Sequence, residues 1–209
     1  ERSFDVLNEH PLNLMRAAKG LRKANSLWFW SPGKKPSLPS FTERTGLSGS
    51  VVCAVDLIKG IGICAGMHVP YVEGATGTLD TNYRGKADTA LEELKTHDLV
   101  YIHVEAPDEC GHQGNTADKI KAIENIDEYI LRPVMKELER RGEHFRLLLL
   151  PDHPTPIALR THVREPIPFV IYDSEDHPQS GVPSYFDHSG DNGVFVADGD
   201  KLIDMLIRK

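Results

Sequence analysis

A chain of 209 residues, 40% hydrophobic and 26% charged, can bury a proper core as one large domain or two small ones. Its formal net charge is −7, from 24 Lys and Arg against 31 Asp and Glu, and no basic cluster exceeds a pair or so, which argues against a nucleic-acid surface. The longest apolar runs, such as RLLLLP, fall far short of the about 20 residues that cross a bilayer, and no signal-peptide pattern is present at the start.

In chain order, HPLNLMRAAKGLRKAN carries Leu12, Leu14, Met15 and Leu21 at amphipathic spacing and predicts a helix. SLWFW reads as a short buried strand, and SPGKKPSLPS, with three prolines and a glycine, as the loop that stops it. SVVCAVDLI is β-branched and continuously apolar, as in a strand covered on both faces, and KGIGICAGM starts a helix or turn. VPYVEGATGTLDTNYRG reads as a short strand and an irregular loop, KADTALEELKTH as a helix, and DLVYIHVEAP as the next strand. TADKIKAIENIDEYILRPVMKELERRG predicts one long helix with Thr116 as N-cap and Gly142 as C-cap. Its apolar positions Ile120, Ile123, Ile126, Ile130, Val134 and Leu138 advance by three or four, and Pro133 should kink it. FRLLLLPDH and IPFVIYD are further strands, and GDKLIDMLIR a closing helix. Apolar strands alternating with helices predict an α/β domain, a mostly parallel sheet with helices on both faces. Ligands of such sheets sit outside the carboxyl ends of the strands.

Two polar clusters fall at those ends. Asp108 and His112 stand four residues apart after DLVYIHV, so on a helical turn they share one face and can grip one ion. Asp152 and His153 follow LLLLP, between Pro151 and Pro154, which favour a sharp turn. His162 comes nine residues later. Alone, Asp108 would serve as a helix cap and Asp152-His153-Pro154 as a turn; joint placement at successive strand exits is what points to metal. Imidazole with carboxylate suits Zn²⁺ or Mn²⁺. Three histidines and two aspartates exceed one catalytic zinc and fall short of two complete sites, so a two-metal centre completed from elsewhere fits the count. His103 is expected to point into the sheet, Glu105 to orient a ligand, and Cys110 to be a small buried residue. Cys53, Cys64 and Cys110 have no metal-type spacing and suggest no disulfide framework, so a cytoplasmic location is expected.

HVEAPDECGHQGN, LLPDHPTP and THVREPIPF resemble the metal motifs of the archaeal-type cofactor-independent phosphoglycerate mutases, within the alkaline phosphatase superfamily. GATGTLDTNYRGKADTALE and AVDLIKGIGICAGM resemble other stretches of that family, and ANSLWFWSPGKKPSLPSF is similar to a branch proposed to contain homoserine kinases. The resemblance implies an alkaline-phosphatase-like core and two divalent ions, Mn²⁺ or Zn²⁺, with Mg²⁺ also admitted. Asp108, His112 and His162 resemble the ligands of one ion, and Asp152 and His153 part of the second site. Lys59 resembles a catalytic lysine near the transferred phosphate, and Lys34 and Lys35 stand where relatives bind the phosphate of a small phosphorylated substrate.

Family members are roughly twice this length. They carry an early aspartate, a nucleophilic serine or threonine and an inserted substrate domain, none of which has a match here. Residues 1–209 are therefore expected to be the C-terminal part of such a metalloenzyme, with the N-terminal half of the same polypeptide as its missing partner. Ser48 and Ser50 lie at the amino end of their strand, on the wrong side of the sheet for a nucleophile, and Thr76, Thr78 and Thr81 lie in a loop without a motif match, so these residues alone are expected to be inactive. The reaction implied is interconversion of 2- and 3-phosphoglycerate through a phosphoserine intermediate. The alternatives are a homoserine kinase-like phosphotransferase or phosphatase of the same superfamily, and a non-catalytic metal- or partner-binding domain.

Overall fold

The computed structural model of the chain describes residues 2–29, 33–176, 182–191 and 193–207. It divides into two units, Glu1–Ser37 and Leu38–Lys209.

In the first unit, α1 spans Arg2–Leu7 and α2 spans Pro11–Ala18. Pro11 fits the first turn of α2, where an amide would have no partner, and His10 caps it by accepting from the Leu12 amide. The helix is shorter than its apolar spacing predicts. Leu12, Leu14, Met15 and Leu21 are all exposed, and the buried residue is Asn13. Its amide donates to the carbonyls of Leu7 and Ala24 and its oxygen accepts from the Ala24 amide, at 2.7–3.0 Å, so a polar side chain folds residues 21–25 back along α2. SLWFW is not a buried strand: Trp28 is 86% and Phe29 90% exposed, neither lies in a ladder, and residues 30–32 lie outside the described residues.

The second unit opens with α3, Phe41–Thr45, closed by a capping box between Ser40 and Glu43 and ended by Gly46 at φ 76°. β1, Gly49–Val52, is buried at all four positions and pairs in parallel with β2, Leu99–Ile102. The predicted strand over SVVCAVDLI stops at Val52, because α4 already runs over Asp56–Cys64. The predicted strand near Val69 reduces to a single bridge between Ser50 and His68. A parallel pair needs a crossover, and α4 and α5, Tyr83–Glu93, supply it.

Beyond β2 come α6, Ala106–Gln113, and α7, Thr116–Ile126. Asn115, not Thr116, caps α7 by accepting from the Asp118 amide. The long helix is continuous as far as Gly142, with a π turn at Asp127–Leu131 before α8, Arg132–Arg141. The wider turn falls just before Pro133, whose missing N–H and ring cannot fit a regular i→i−4 ladder. Tyr83, Ala87, Ala106, Ala122, Ile130, Val134 and Leu138 bury one core between α5, α6 and this helix, and Val52, Val72 and Ala90 form a second. β3, Arg146–Leu149, and β4, Val170–Asp173, pair antiparallel, and α9, Leu202–Ile207, ends the described chain. The α/β layering is as expected. The strand direction differs locally, because residues 150–169 return the chain beside β3 without a helical crossover.

Candidate metal centre

The site is built outward from the carboxyl end of β2. The His103 amide donates to the Val52 carbonyl at 2.9 Å, so the β1 ladder holds the chain one residue past the strand. The turn into α6 follows at once. Pro107 occupies its first turn, where no amide donor is needed, and Asp108 sits where the helix dipole favours an anion. His112 lies one turn on, and Gly114, at φ 69°, ends the helix. Gly111 is buried against residues 151–156: a β-carbon there would lie 2.6 Å from the Thr155 carbonyl oxygen. That close approach brings the loop between β3 and β4 onto the Asp108–His112 face.

Three of the expected residues meet there. Nε2 of His112 is 3.3 Å from Asp108 Oδ2, and Nε2 of His162 is 3.3 Å from Asp108 Oδ1. The two Nε2 atoms are 3.1 Å apart. Ligand atoms at zinc–nitrogen distances on a tetrahedron are separated by about 3.3 Å. The spacing of one carboxylate and two imidazoles thus fits three corners around a divalent ion.

The groups behind the trio fix its orientation. His112 Nδ1 donates to the Arg160 carbonyl at 2.9 Å. A carbonyl only accepts, so the proton is on Nδ1 and the Nε2 lone pair faces Asp108 and His162, the usual arrangement for a metal-binding histidine. Arg160 reaches this position with φ 54°, a left-handed backbone rare outside glycine. The Thr155 hydroxyl donates to Asp108 Oδ1 in a short hydrogen bond and lies 3.3 Å from His153 Nδ1. Lys119 holds the Thr155 carbonyl at 2.7 Å. The His153 ring packs against that of His162, tilted by 32°, with centroids 3.7 Å apart. Asp152 accepts from the His153 amide, and its side chain, 61% exposed, lies 3.7 Å from His153 Nε2. The structure therefore gathers Asp108, His112 and His162, with His153 against His162 and Asp152 in contact with His153.

Charge accumulates around the trio. Glu105, Asp108 and Glu109 bring carboxylate oxygens within 4.8 Å of one another. Burial raises the Glu105 carboxyl above its usual range, and the negative charges of Glu109 and Asp108 add to the rise. The Arg160 carbonyl, followed by the Asp108 and Glu109 charges, raises His112. Burial lowers His103, whose ring stacks with Tyr101 at 6.4 Å.

Lys59 lies on α4 with Asp56 as its ion-pair partner at 3.1 Å. Lys34 and Lys35 are exposed in the loop that ends the first unit. Sequence reasoning missed Thr155, Arg160 and Lys86. Thr155, between two prolines and two residues after a candidate ligand, had a readable signal. The backbone of Arg160 and the full burial of Lys86 in α5, its Nζ donating to the His103 carbonyl at 3.0 Å, had none.

This architecture is that of the α/β proteins with an alkaline-phosphatase-like core. The chain belongs to the Metalloenzyme superfamily, whose family model matches residues 9–203. That membership implies use of a divalent metal. The chain is 50% identical over its whole length to the 2,3-bisphosphoglycerate-independent phosphoglycerate mutase of Methanosarcina acetivorans, covering 53% of that protein. It is 50% identical over 99% of its length to the enzyme of the same name from Methanothrix thermoacetophila, again covering 53%. Among solved structures, the PH0037 protein from Pyrococcus horikoshii superposes with a TM-score of 0.72 at 32% identity, over 81% of this chain and 44% of that one. The chain thus spans about half the length of the curated relatives it matches. Among the described residues, no helix is long and apolar enough to cross a membrane.

Proposed function

We propose that these residues form the metal-bearing part of a cofactor-independent phosphoglycerate mutase that interconverts 2- and 3-phosphoglycerate through a phosphoserine intermediate. The observation that carries this reading is the convergence of Asp108, His112 and His162, from a helix and a loop 50 residues apart in sequence, to mutual distances of 3.1–3.3 Å. In this reading the trio holds one divalent ion, Mn²⁺ or Zn²⁺, and Asp152 and His153 contribute to a second. When bound, such ions acidify an attacking hydroxyl and neutralise charge on the transferred phosphoryl group. The chain's own residues do the positioning. The Arg160 carbonyl keeps the proton of His112 on Nδ1, and the Thr155 hydroxyl holds the Asp108 carboxylate toward the histidines. Lys59 is assigned to the charge of the transferred phosphate, and Lys34 and Lys35 to the substrate phosphate. The hydroxyl that accepts the phosphoryl group is assigned to a segment outside these residues, matching the other half of the relatives.

The test is a mutase assay on the whole polypeptide that carries this chain, with 2-phosphoglycerate and Mn²⁺. Replacing Asp108 by Asn, or His112 by Ala, should lower kcat by about 10²- to 10³-fold, the scale on which removing a group that stabilises the transition state costs, and should remove one bound ion by elemental analysis. Wild-type turnover retained in both variants would overturn the assignment.

A further inference from the structure

A second histidine–carboxylate cluster lies at the opposite end of the parallel strand pair. His97 ends the turn just before β2, whereas Asp108 follows that strand; four strand residues at about 3.3 Å each separate the two ends. His68 Nδ1 is 2.6 Å from Glu93 Oε2, and His97 Nδ1 is 3.4 Å from the same oxygen. The imidazole rings are parallel within 1°, with centroids 5.5 Å apart, and both turn Nδ1 toward Glu93, that of His97 also donating to the Glu93 backbone carbonyl at 3.2 Å. Candidate ligand atoms of the three residues all lie within 4.8 Å of one another.

The backbone under each member is already fixed. The His68 amide donates to the Gly49 carbonyl at 3.0 Å, and its carbonyl accepts from Val51 at 2.8 Å, so His68 is bridged onto β1. Glu93 is the last residue of α5, and the His97 amide donates to its carbonyl at 2.9 Å. The Glu93 and His97 side chains thus share one helical face, while His68 closes on them from the strand. The Glu93 side chain is 13% exposed and that of His97 21%, while that of His68 is 54% exposed, which leaves an entry path.

We propose that His68, Glu93 and His97 form a zinc site, distinct from the Asp108 cluster, that clamps the end of α5 to the segment bridged onto β1. Two imidazoles and one carboxylate favour Zn²⁺ over Mg²⁺ or Ca²⁺, which prefer all-oxygen shells. On binding, each neutral imidazole shifts its proton from Nδ1 to Nε2 and offers the freed Nδ1 lone pair to the ion, His97 giving up its hydrogen bond to the Glu93 carbonyl. With three protein ligands, water completes the tetrahedron and the ion remains exchangeable. This site sits at the amino end of the strands, so its role is structural, and the proposal stands independently of the mutase reading.

The full chain, stripped with chelator and titrated with Zn²⁺, decides it. Wild type should bind one equivalent more than His68→Ala, whose half-exposed side chain can be removed without opening the core. Glu93→Gln should weaken that equivalent by at least about tenfold, and Asp108→Asn should leave it intact. Co²⁺ in the wild type should show the visible absorption of a four-coordinate site that His68→Ala lacks. Equal Zn²⁺ stoichiometry and affinity in wild type and His68→Ala would overturn the proposal and leave a hydrogen-bonded cluster only.

Discussion

Lys86 is a fully buried lysine next to a candidate metal centre. Its Nζ donates to the His103 carbonyl, and burial pushes its pKa down from 10.5 to about 8, against the opposing pull of Cys53 and Glu105. The sign of the stability effect follows. Below pH 8 the amine is protonated in both states, and the folded state bears the full desolvation cost. Between about pH 8 and 10.5 the unfolded chain holds the proton that the folded one has lost, so the stability contribution of Lys86 rises with pH. A shift of this size corresponds to about 3 kcal/mol. The stability of wild type relative to Lys86→Met, measured by urea unfolding, should therefore rise by about 2–3 kcal/mol from pH 7 to pH 10. Parallel pH profiles would show that the folded amine is solvated. None of this was legible in KADTALEELKTH, which predicts a helix but not which of its residues is buried. Burial of a lysine depends on which strand end the helix packs against, and that is tertiary information. Asp108 and His112 were legible because helical spacing alone puts positions four apart on one face.

At the scale of elements, the decisive contact is α6 against residues 151–156. It needs a missing side chain at Gly111, where a β-carbon would lie 2.6 Å from the Thr155 carbonyl oxygen and 2.9 Å from its Cγ2. Backbone cannot yield as a flexible side-chain tip can. Gly111→Ala should therefore push Thr155 off Asp108, destabilise the fold by about 1–3 kcal/mol, and weaken metal binding at the trio. Thermal unfolding and a metal titration check the two effects, and an unchanged metal affinity would separate the contact from the site. The helices themselves, α5 and the helix from Thr116 to Arg141, were readable in advance, but their burial only in part: Ile130, Val134 and Leu138 enter the core, whereas Ile120 and Ile123 of the same apolar stripe are exposed. SLWFW was not, because an aromatic run has the propensity of a strand but names no partner to pair with. The first helix misled for a related reason: its apolar residues are exposed, and hydrogen bonds from Asn13 organise its unit.

Across the whole molecule, Asp108 and His112 belong to α6, while His162 hangs from a connection whose two ends, Leu149 and Val170, pair across the β3–β4 ladder. The ends are held by strands, but the middle is held at the site mainly through Thr155, His153, Arg160 and His162. An ion bound by the trio would add a cross-link between segments 50 residues apart. A ligand that binds only the closed form, at 100 times its dissociation constant, stabilises that form by about 2.7 kcal/mol, or about 100-fold in the open population. Arg160 and Arg164 are exposed on this connection and offer trypsin two sites. Zn²⁺ or Mn²⁺ at saturating concentration should slow cleavage there by 10- to 100-fold relative to chelator-treated protein, the range expected when proteolysis follows the open population. Cleavage after Lys34, exposed in the first unit, should not respond and serves as the internal control. His162→Ala should abolish the protection while leaving the control unchanged. If metal protects the His162→Ala variant as well as the wild type, the ion is held elsewhere and the loop does not depend on the trio.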